Sequence, residues 1–415
     1  MDSFFNLMYH YLKIGGIEMK KPFCFILFFI LVLALTMTVS AKNISEIKIA
    51  ELNRSSEELI LKQLPFKKGD LYQQQYLDLS RKRLLNSDLL NPLTLKISSI
   101  KTADNNYQIL IDGRDSGIFM IHPWEFAIRK TTGLLGESFE QKIRNPHGNG
   151  LSYLIGFDWS DDSYQEYGLE YVAEKANIYS FNYRNFDSKL DFNQKESKAD
   201  GNFYQFNLET IPSSKIKNNY NFKFQENDYT INNITQKQEY LIPAYTLNYN
   251  NNFEFEIELS RAFSLNDNFD DFNSLKLKLN KSYNLSKNSL IIADFKGGFA
   301  SEETPFNYQF RAGSFSKNDG GIPIRGQDYE FAGNKYVKTT LEYQRKLWRR
   351  DLWGVIFIDS AKIAAVDKEL GELDWENDGG LGLIYYSFLG PIRADIAFDN
   401  ANSSPQFNIG FGSSF

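Results

Sequence analysis

Phe253-Glu254-Phe255-Glu256-Ile257-Glu258-Leu259 alternates apolar and acidic residues without a break. Successive side chains of a strand point to opposite faces, so this stretch has one apolar face and one charged face. The same two-residue period recurs through the second half of the chain. Leu151, Tyr153, Ile155, Phe157 and Trp159 alternate with Ser152, Leu154, Gly156 and Asp158. Tyr204, Phe206 and Leu208 alternate with Gln205, Asn207 and Glu209, and Tyr220, Phe222 and Phe224 with Asn221, Lys223 and Gln225. Beyond residue 113 the only helical signal is a short one near Trp124 to Arg129; strand alternation then runs to the end.

Alternation alone suits two architectures. In a soluble sandwich the apolar face is the core, whereas in a membrane barrel it meets lipid and the polar face lines the interior. Composition, the start of the chain and the long series of hairpins together favour the barrel. The 415 residues include 24 Tyr and 35 Phe at a net charge of −6, yet the mean hydropathy is only −0.42. Aromatic excess with overall polarity is what a barrel with interfacial girdles requires. The start of the chain agrees with export: Lys20-Lys21 precedes an apolar run from Pro22 to Thr38, closing on Val39-Ser40-Ala41. Residues 1–41 read as a signal peptide, with Met19 fitting the position of an initiator; a transmembrane anchor is the rival, but the run is short for a span. The one cysteine, Cys24, lies inside this run, so the exported chain carries no thiol chemistry. The expected fold is therefore mainly β. Residues 136–415 form a transmembrane antiparallel barrel of about sixteen strands, each of about ten residues. The strand reading is least secure between Phe186 and Gly201, where a polar run is either a turn or a strand extension.

Ahead of the barrel, residues 42–113 read as a small α/β module, joined by a linker over 114–135. Ile44, Ile47 and Ile49 open a strand. Ser55-Ser56-Glu57-Glu58 carries cap and first-turn chemistry for a helix through Leu59, Ile60, Leu61 and Leu64. After Pro65 and Lys68-Gly69-Asp70 a second helix carries Tyr76, Leu77, Leu79, Leu84 and Leu85. Two strands follow, over Pro92–Ile100 and Tyr107–Ile111. The order strand, helix, helix, strand, strand resembles the POTRA domain that precedes certain outer-membrane barrels, with Leu52-Asn53 standing in place of that family's Gly-Asn turn.

No catalytic constellation is visible: the exported chain keeps only His122 and His147, and has no G-x-S-x-G, H-E-x-x-H or phosphate loop. His147 sits in Asn145-Pro146-His147-Gly148-Asn149-Gly150, which reads as a hairpin turn. The chemistry worth following is a single arginine. In Gly320-Gly321-Ile322-Pro323-Ile324-Arg325-Gly326-Gln327 the glycines permit a reversal and Pro323 stiffens its exit. Arg325 cannot shed its charge, so it needs an anion or bulk water. At strand spacing, Gly354-Val355-Ile356-Phe357-Ile358-Asp359-Ser360-Ala361 places Phe357 and Asp359 on one face and Ile356 and Ile358 on the other. Asp359 supplies a carboxylate, Phe357 a ring face for a guanidinium, and Glu342 a second carboxylate nearby. A solvated surface loop is the alternative.

The last hundred residues resemble the outer-membrane insertase and translocator superfamily that includes BamA, TamA and FhaC. Ile324-Arg325-Gly326-Gln327 is similar to its [VI]-R-G-[FY] loop motif, with Gln327 for the aromatic. Gly354 to Ala361 is similar to its G-x-x-F-x-D-x-G strand motif, with Ala361 for the last glycine. Leu341-Glu342-Tyr343-Gln344-Arg345 sits where the family carries a strand glutamate. Gly380-Leu381-Gly382-Leu383 and Leu389-Gly390-Pro391-Ile392-Arg393-Ala394-Asp395 follow in the family's order, and the chain ends on the aromatic Phe415.

The resemblance implies a loop over about 316–335 folded into the lumen, with Ile324, Arg325 and Gly326 at its tip and Asp359, Phe357 and Glu342 on the wall that holds it. It also implies a weak seam between the first strand (about Gly136 to Asn145, with Phe139 and Ile143) and the last (Phe407, Ile409, Gly410, Phe411, Gly412 and Phe415). Strand edges carry unpaired backbone groups that lipid cannot satisfy, so such a seam could pair with an incoming strand. Gly410 and Gly412 weaken it further. The expected partners are outer-membrane lipid, unfolded β-barrel or secreted polypeptide clients, and periplasmic accessory proteins. No cofactor, metal or nucleic acid is expected, and no enzymatic activity. The module would lie in the periplasm. The rival functions are a passive pore or surface antigen of the same architecture, and a soluble β-rich binding protein.

Overall fold

The computed structural model describes residues 42–50, 52–119, 138–160, 163–192, 195–231, 233–313, 322–327, 330–347, 351–387, 390–399 and 404–411. The expected signal peptide, the short helix near Trp124, the Gly320-Gly321 reversal, Gly412 and Phe415 lie outside the described residues.

Residues 42–119 build a three-stranded sheet with two helices. The order is β1 (Ile44–Ile49), α1 (Glu57–Leu61), α2 (Gln75–Asn86), β2 (Lys96–Lys101) and β3 (Tyr107–Asp112). The sheet order is β1-β3-β2, with β1 parallel to β3. Ser56 caps α1 by accepting the Leu59 N–H, and Glu57 and Glu58 face the positive end of the short helix. Ile44, Ile60, Leu84, Ile109 and Ile111 fill the core. That core does not stop at residue 113: Val172 and Ile178, from two later strands, are buried within it.

The rest of the chain forms one antiparallel sheet of fifteen strands among the described residues. Its first ten are β4 (Ser138–Ile143), β5 (Leu151–Asp158), β6 (Ser163–Val172), β7 (Ile178–Phe192), β8 (Lys195–Ser213), β9 (Ile216–Ile231), β10 (Ile234–Asn250), β11 (Glu254–Ser264), β12 (Phe272–Ser286) and β13 (Ser289–Ala300). A small separate sheet follows, made of β14 (Phe310–Gly313), β15 (Ile322–Pro323) and β16 (Glu330–Gly333) in the order β15-β14-β16. The large sheet then resumes with β17 (Lys335–Lys346), which pairs with β13, and continues through β18 (Leu352–Ala364), β19 (Glu376–Ser387), β20 (Gly390–Asp399) and β21 (Gln406–Phe411). Fifteen is one fewer than the expected count of about sixteen; residues 120–137, just ahead of β4, are among those not described.

A sheet of this size with apolar residues on one face curls into a barrel, and exposure shows which way it faces. Ile356 and Ile358 are each 55% exposed, while Phe357 and Asp359 between and beside them are 1% and 0%. The apolar face is therefore outside and the polar face inside, the reverse of a soluble sandwich. On β11, Glu256 stands opposite Lys278 and Glu258 opposite Lys276, with Lys276 Nζ 2.9 Å from Glu258 Oε1.

The module sits on the end of the barrel where the β4–β5, β6–β7 and β8–β9 turns lie. Asn145 Nδ2 donates to Ser55 Oγ at 3.0 Å. A Cβ on Gly148, whose φ is +74°, would run into the Arg54 carbonyl, so the close approach requires glycine there. The buried Gln63 accepts the Ala176 N–H at 2.7 Å. Lys82 and Arg83, on α2, donate to the carbonyls of Ser214 (2.9 Å) and Ile211 (3.2 Å). Asp115 accepts three successive backbone N–H groups, from Asn53, Arg54 and Ser55, at 2.9–3.0 Å. Burial alone would raise its pKa, but the Ser55 side chain and these backbone hydrogen bonds together outweigh burial and hold the carboxyl below its ordinary value.

The opposite end is taller. Strands β7 to β10 have 15, 19, 16 and 17 residues, against the ~9–11 that cross a bilayer. The polar run Phe186–Gly201 is a strand extension: β7 and β8 stay paired from Phe186↔Gly201 to Phe192↔Lys195. It rises on the side away from the module, which removes the long module-side connection that a turn there would have required.

Candidate functional site

The small sheet β15-β14-β16 leaves β13 at the end opposite the module and returns to β17 at the same end. Between β14 and β16 the chain enters the lumen. Ile322 and Ile324 pack into a cluster with Phe310, Ala312, Tyr336 and Ala361. Ala361, standing where the resembled motif ends in glycine, contributes its methyl to this cluster. Lys338, on β17, donates to the Pro323 carbonyl.

These contacts aim Arg325 at the wall of the last five strands. Its Nε and Nη2 form a two-pronged pair with Asp359 on β18, at 2.7 and 2.8 Å. Its Nη1 reaches Glu342 on β17 at 3.0 Å and Asp395 on β20 at 3.4 Å. The guanidinium carbon lies 3.4 Å from the centre of the Phe357 ring. A planar, permanently charged fork is the side chain that can serve a carboxylate bidentately and stack on a ring at once. Thr340 Oγ1 donates to Asp359 Oδ1 at 2.6 Å.

A second arginine completes the cluster. Arg393 on β20 donates to both oxygens of Glu342, at 3.0 and 2.7 Å, and its Nε to Asp395 at 2.8 Å. Gln344 donates to Glu342 at 2.6 Å. Arg325, Arg393, Asp359, Asp395 and Glu342 are all buried, so two guanidiniums neutralise most of three carboxylates away from water. Such a group is costly to break on one side, because the remaining charges stay buried and unpaired.

The residues after Arg325 tie the tip to the remaining strands. The Gly326 N–H donates to Asp378 Oδ2 on β19 at 2.7 Å. A Cβ at Gly326 would stand 2.7 Å from that same oxygen and 3.0 Å from the Asp399 nitrogen, so any larger residue there would press on the Asp378 contact. Gln327, which replaces the motif's aromatic, donates to Asp378 Oδ1 at 3.0 Å; an amide does by hydrogen bonding what a ring would do by packing. Asn408 Nδ2 on β21 donates to the Arg325 carbonyl at 2.9 Å.

Of the residues singled out from sequence, the structure brings Ile324, Arg325, Gly326, Glu342, Phe357 and Asp359 together at this tip. Sequence reading passed over Lys338, Thr340, Asp378 and Asn408, and quoted Gln344, Arg393 and Asp395 within motif stretches without giving them a role at the tip. The signal for some was present: Arg393 and Asp395 interrupt Ile392, Ala394 and Ile396 with strand period, which marks an inward polar face. The partners could not be assigned without strand order.

The edge residues lie apart from the tip. Phe139 and Ile143 are half-buried on β4. Phe407 and Ile409 point outward from β21, 73% and 68% exposed. Gly410 pairs with Arg393 and Phe411 with Ile392. β4 and β21 have six residues each and are the two ends of the sheet order, with no ladder between them among the described residues.

Comparison with known proteins bears on this architecture. The Omp85 superfamily domain matches residues 122–415. Among solved structures, BamA from Haemophilus ducreyi lacking POTRA domains 1–3 is similar at a TM-score of 0.57 and 11% identity, over 88% of this chain and 83% of that one. CdiB from Escherichia coli is similar at 0.63 and 9%, over 89% and 75%, and CdiB from Acinetobacter baumannii at 0.57 and 14%, over 89% and 73%. None of the curated proteins matches.

Proposed function

The chain belongs to the Omp85 superfamily of outer-membrane β-barrels, and from that premise we propose that it handles polypeptide clients at the β4–β21 seam, in the manner of BamA and TamA. In this reading it assists either insertion of barrel proteins into the outer membrane or passage of polypeptides across it. The module is of POTRA type, faces the periplasm and receives client strands. The loop tip is a lumenal anchor, with Arg325 as its pivot.

The observation that carries the reading is the position of the edges. β4 and β21 end the sheet order with no ladder between them among the described residues, and β21 carries Gly410, which adds no side-chain packing. Its inner face is nonetheless attached, through Asn408, to the carbonyl of Arg325. An edge so placed offers backbone donors and acceptors to an incoming strand, and the anchored loop supports it from inside.

The test is depletion followed by locking. Depletion should lower the level of other outer-membrane proteins or of one secreted partner. Paired cysteines placed in β4 and β21 should abolish rescue when oxidised and restore it when reduced. Unchanged levels on depletion would leave a passive pore. Protease added to intact cells should spare residues 42–113; ready cleavage there would reverse the proposed orientation.

A further inference from the structure

We propose that Asp88 is a positioning residue that couples the module to the first strand of the seam. The inference rests on the seam reading above and adds to it a named control point. Asp88 follows the end of α2 and has a φ of 53°, in the left-handed region that Asp tolerates better than most residues. That backbone turns its carboxylate toward β4. Asp88 Oδ2 lies 2.9 Å from Lys142 Nζ and 3.4 Å from Arg144 Nε. The Arg144 N–H donates to the Ile118 carbonyl at 2.7 Å, so β4 is held at side chain and backbone by the segment that leaves the module.

Among the described residues the other carboxylate paired with Lys142 is Glu170 on β6, at 2.8 Å. Lys142 therefore bridges the module and the second neighbour of its own strand. The side chains of Asp88, Lys142 and Arg144 are only 27%, 25% and 15% exposed, so the pairs are better shielded from solvent than surface pairs. β4 has only β5 as a ladder partner among the described residues, which leaves it dependent on the contacts at its end. β21, across the seam, takes its inner contact from the loop tip instead. The two lips of the seam thus answer to different parts of the molecule: one to the module through Asp88, the other to the loop through Asn408. A displacement of the end of α2 reaches β4 directly through Asp88.

The experiment is hydrogen exchange on the purified full chain in detergent, comparing the native protein with Asp88→Asn and Asp88→Glu. Asparagine tolerates the left-handed backbone and lacks the charge; glutamate keeps the charge. Asp88→Asn should speed exchange of the β4 amides by about tenfold, with Ile109 and Ile111 in the module core unchanged, and Asp88→Glu should recover most of the protection. Unchanged β4 exchange in Asp88→Asn, equal behaviour of the two variants, or parallel acceleration of the module core would each overturn the proposal. Should the β4–β21 lock leave client handling intact, the seam reading fails, while this exchange pattern still decides the coupling by itself.

Discussion

The module core and the barrel interior are buried to the same degree by opposite chemistry. In the module, Ile60, Leu84 and Ile109 are fully buried against one another, and stability comes from apolar area removed from water. In the barrel, the residues buried around the loop tip include Arg325, Asp359 and Asp395, while most of the apolar positions of the wall, such as Ile356 and Ile358, face outward. Lipid gives no reason to hide leucine, so the barrel frees its interior for charge and must then pair that charge completely. The contrast teaches that burial by itself says nothing about what holds a region together. A cavity weakens the module; an unmatched charge weakens the loop.

Arg325→Ala strikes the second region hardest. It leaves Asp359 without its fork and Glu342 and Asp395 with Arg393 alone, a loss of roughly 3–5 kcal/mol in loop docking. Arg325→Lys should rescue poorly, since an ammonium cannot form the fork or stack on Phe357. A double-mutant cycle with Asp359, read by loop proteolysis and client assembly, should be strongly non-additive; independent effects would show that the pair does not act as one.

In the module the matching lesion is Ile60→Ala, expected to cost about 2–5 kcal/mol by cavity formation. Ile356→Ala, on the lipid-facing side, should change the barrel's heat-modifiable gel migration far less. Equal effects at the two positions would dissolve the comparison.

The junction between the two regions is sensitive to acid. Asp115 has a folded pKa below its unfolded value of about 3.9, so its contribution is present above that value and is lost as pH falls through the lower folded pKa. Asp115→Asn should remove roughly 1–3 kcal/mol at neutral pH, together with the acid step. Module–barrel crosslinking followed from pH 7 down to about pH 2 would show both; an unchanged acid step in the variant would assign it elsewhere.

The smallest effect is expected on the open wall. Glu256→Lys would oppose Lys278, which already neighbours Lys296, and cost about 0.2–1 kcal/mol. Lys278→Glu in that background should recover part of it. Strict additivity in urea titrations of the folded barrel would mean the side chains do not meet.

Much of the fold could be read in advance, because strand alternation is written locally. The opposed faces of Ile356, Phe357, Ile358 and Asp359 followed from a period of two. The extension through Phe186–Gly201 stayed ambiguous because a polar alternating run lies beyond the membrane, where lipid no longer imposes an apolar face. The burial of Val172 and Ile178 in the module core could not be read in advance, since nothing local shows that a module earlier in the chain closes over them.

The sequence by itself determined that Arg325 follows a glycine-rich stretch, that its charge needs an anion or bulk water, and that Asp359 and Phe357 share a face with the right chemistry. Only the tertiary structure decided that Arg393 and Asp395 complete the cluster, that Asp378 takes the backbone of Gly326, and that Asn408 joins the last strand to the tip. The reason is physical. A side chain's need is set by its own charge and its strand period, whereas its partners are set by the order and register of five strands spread from Lys335 to Phe411, and register is a non-local property of the closed sheet.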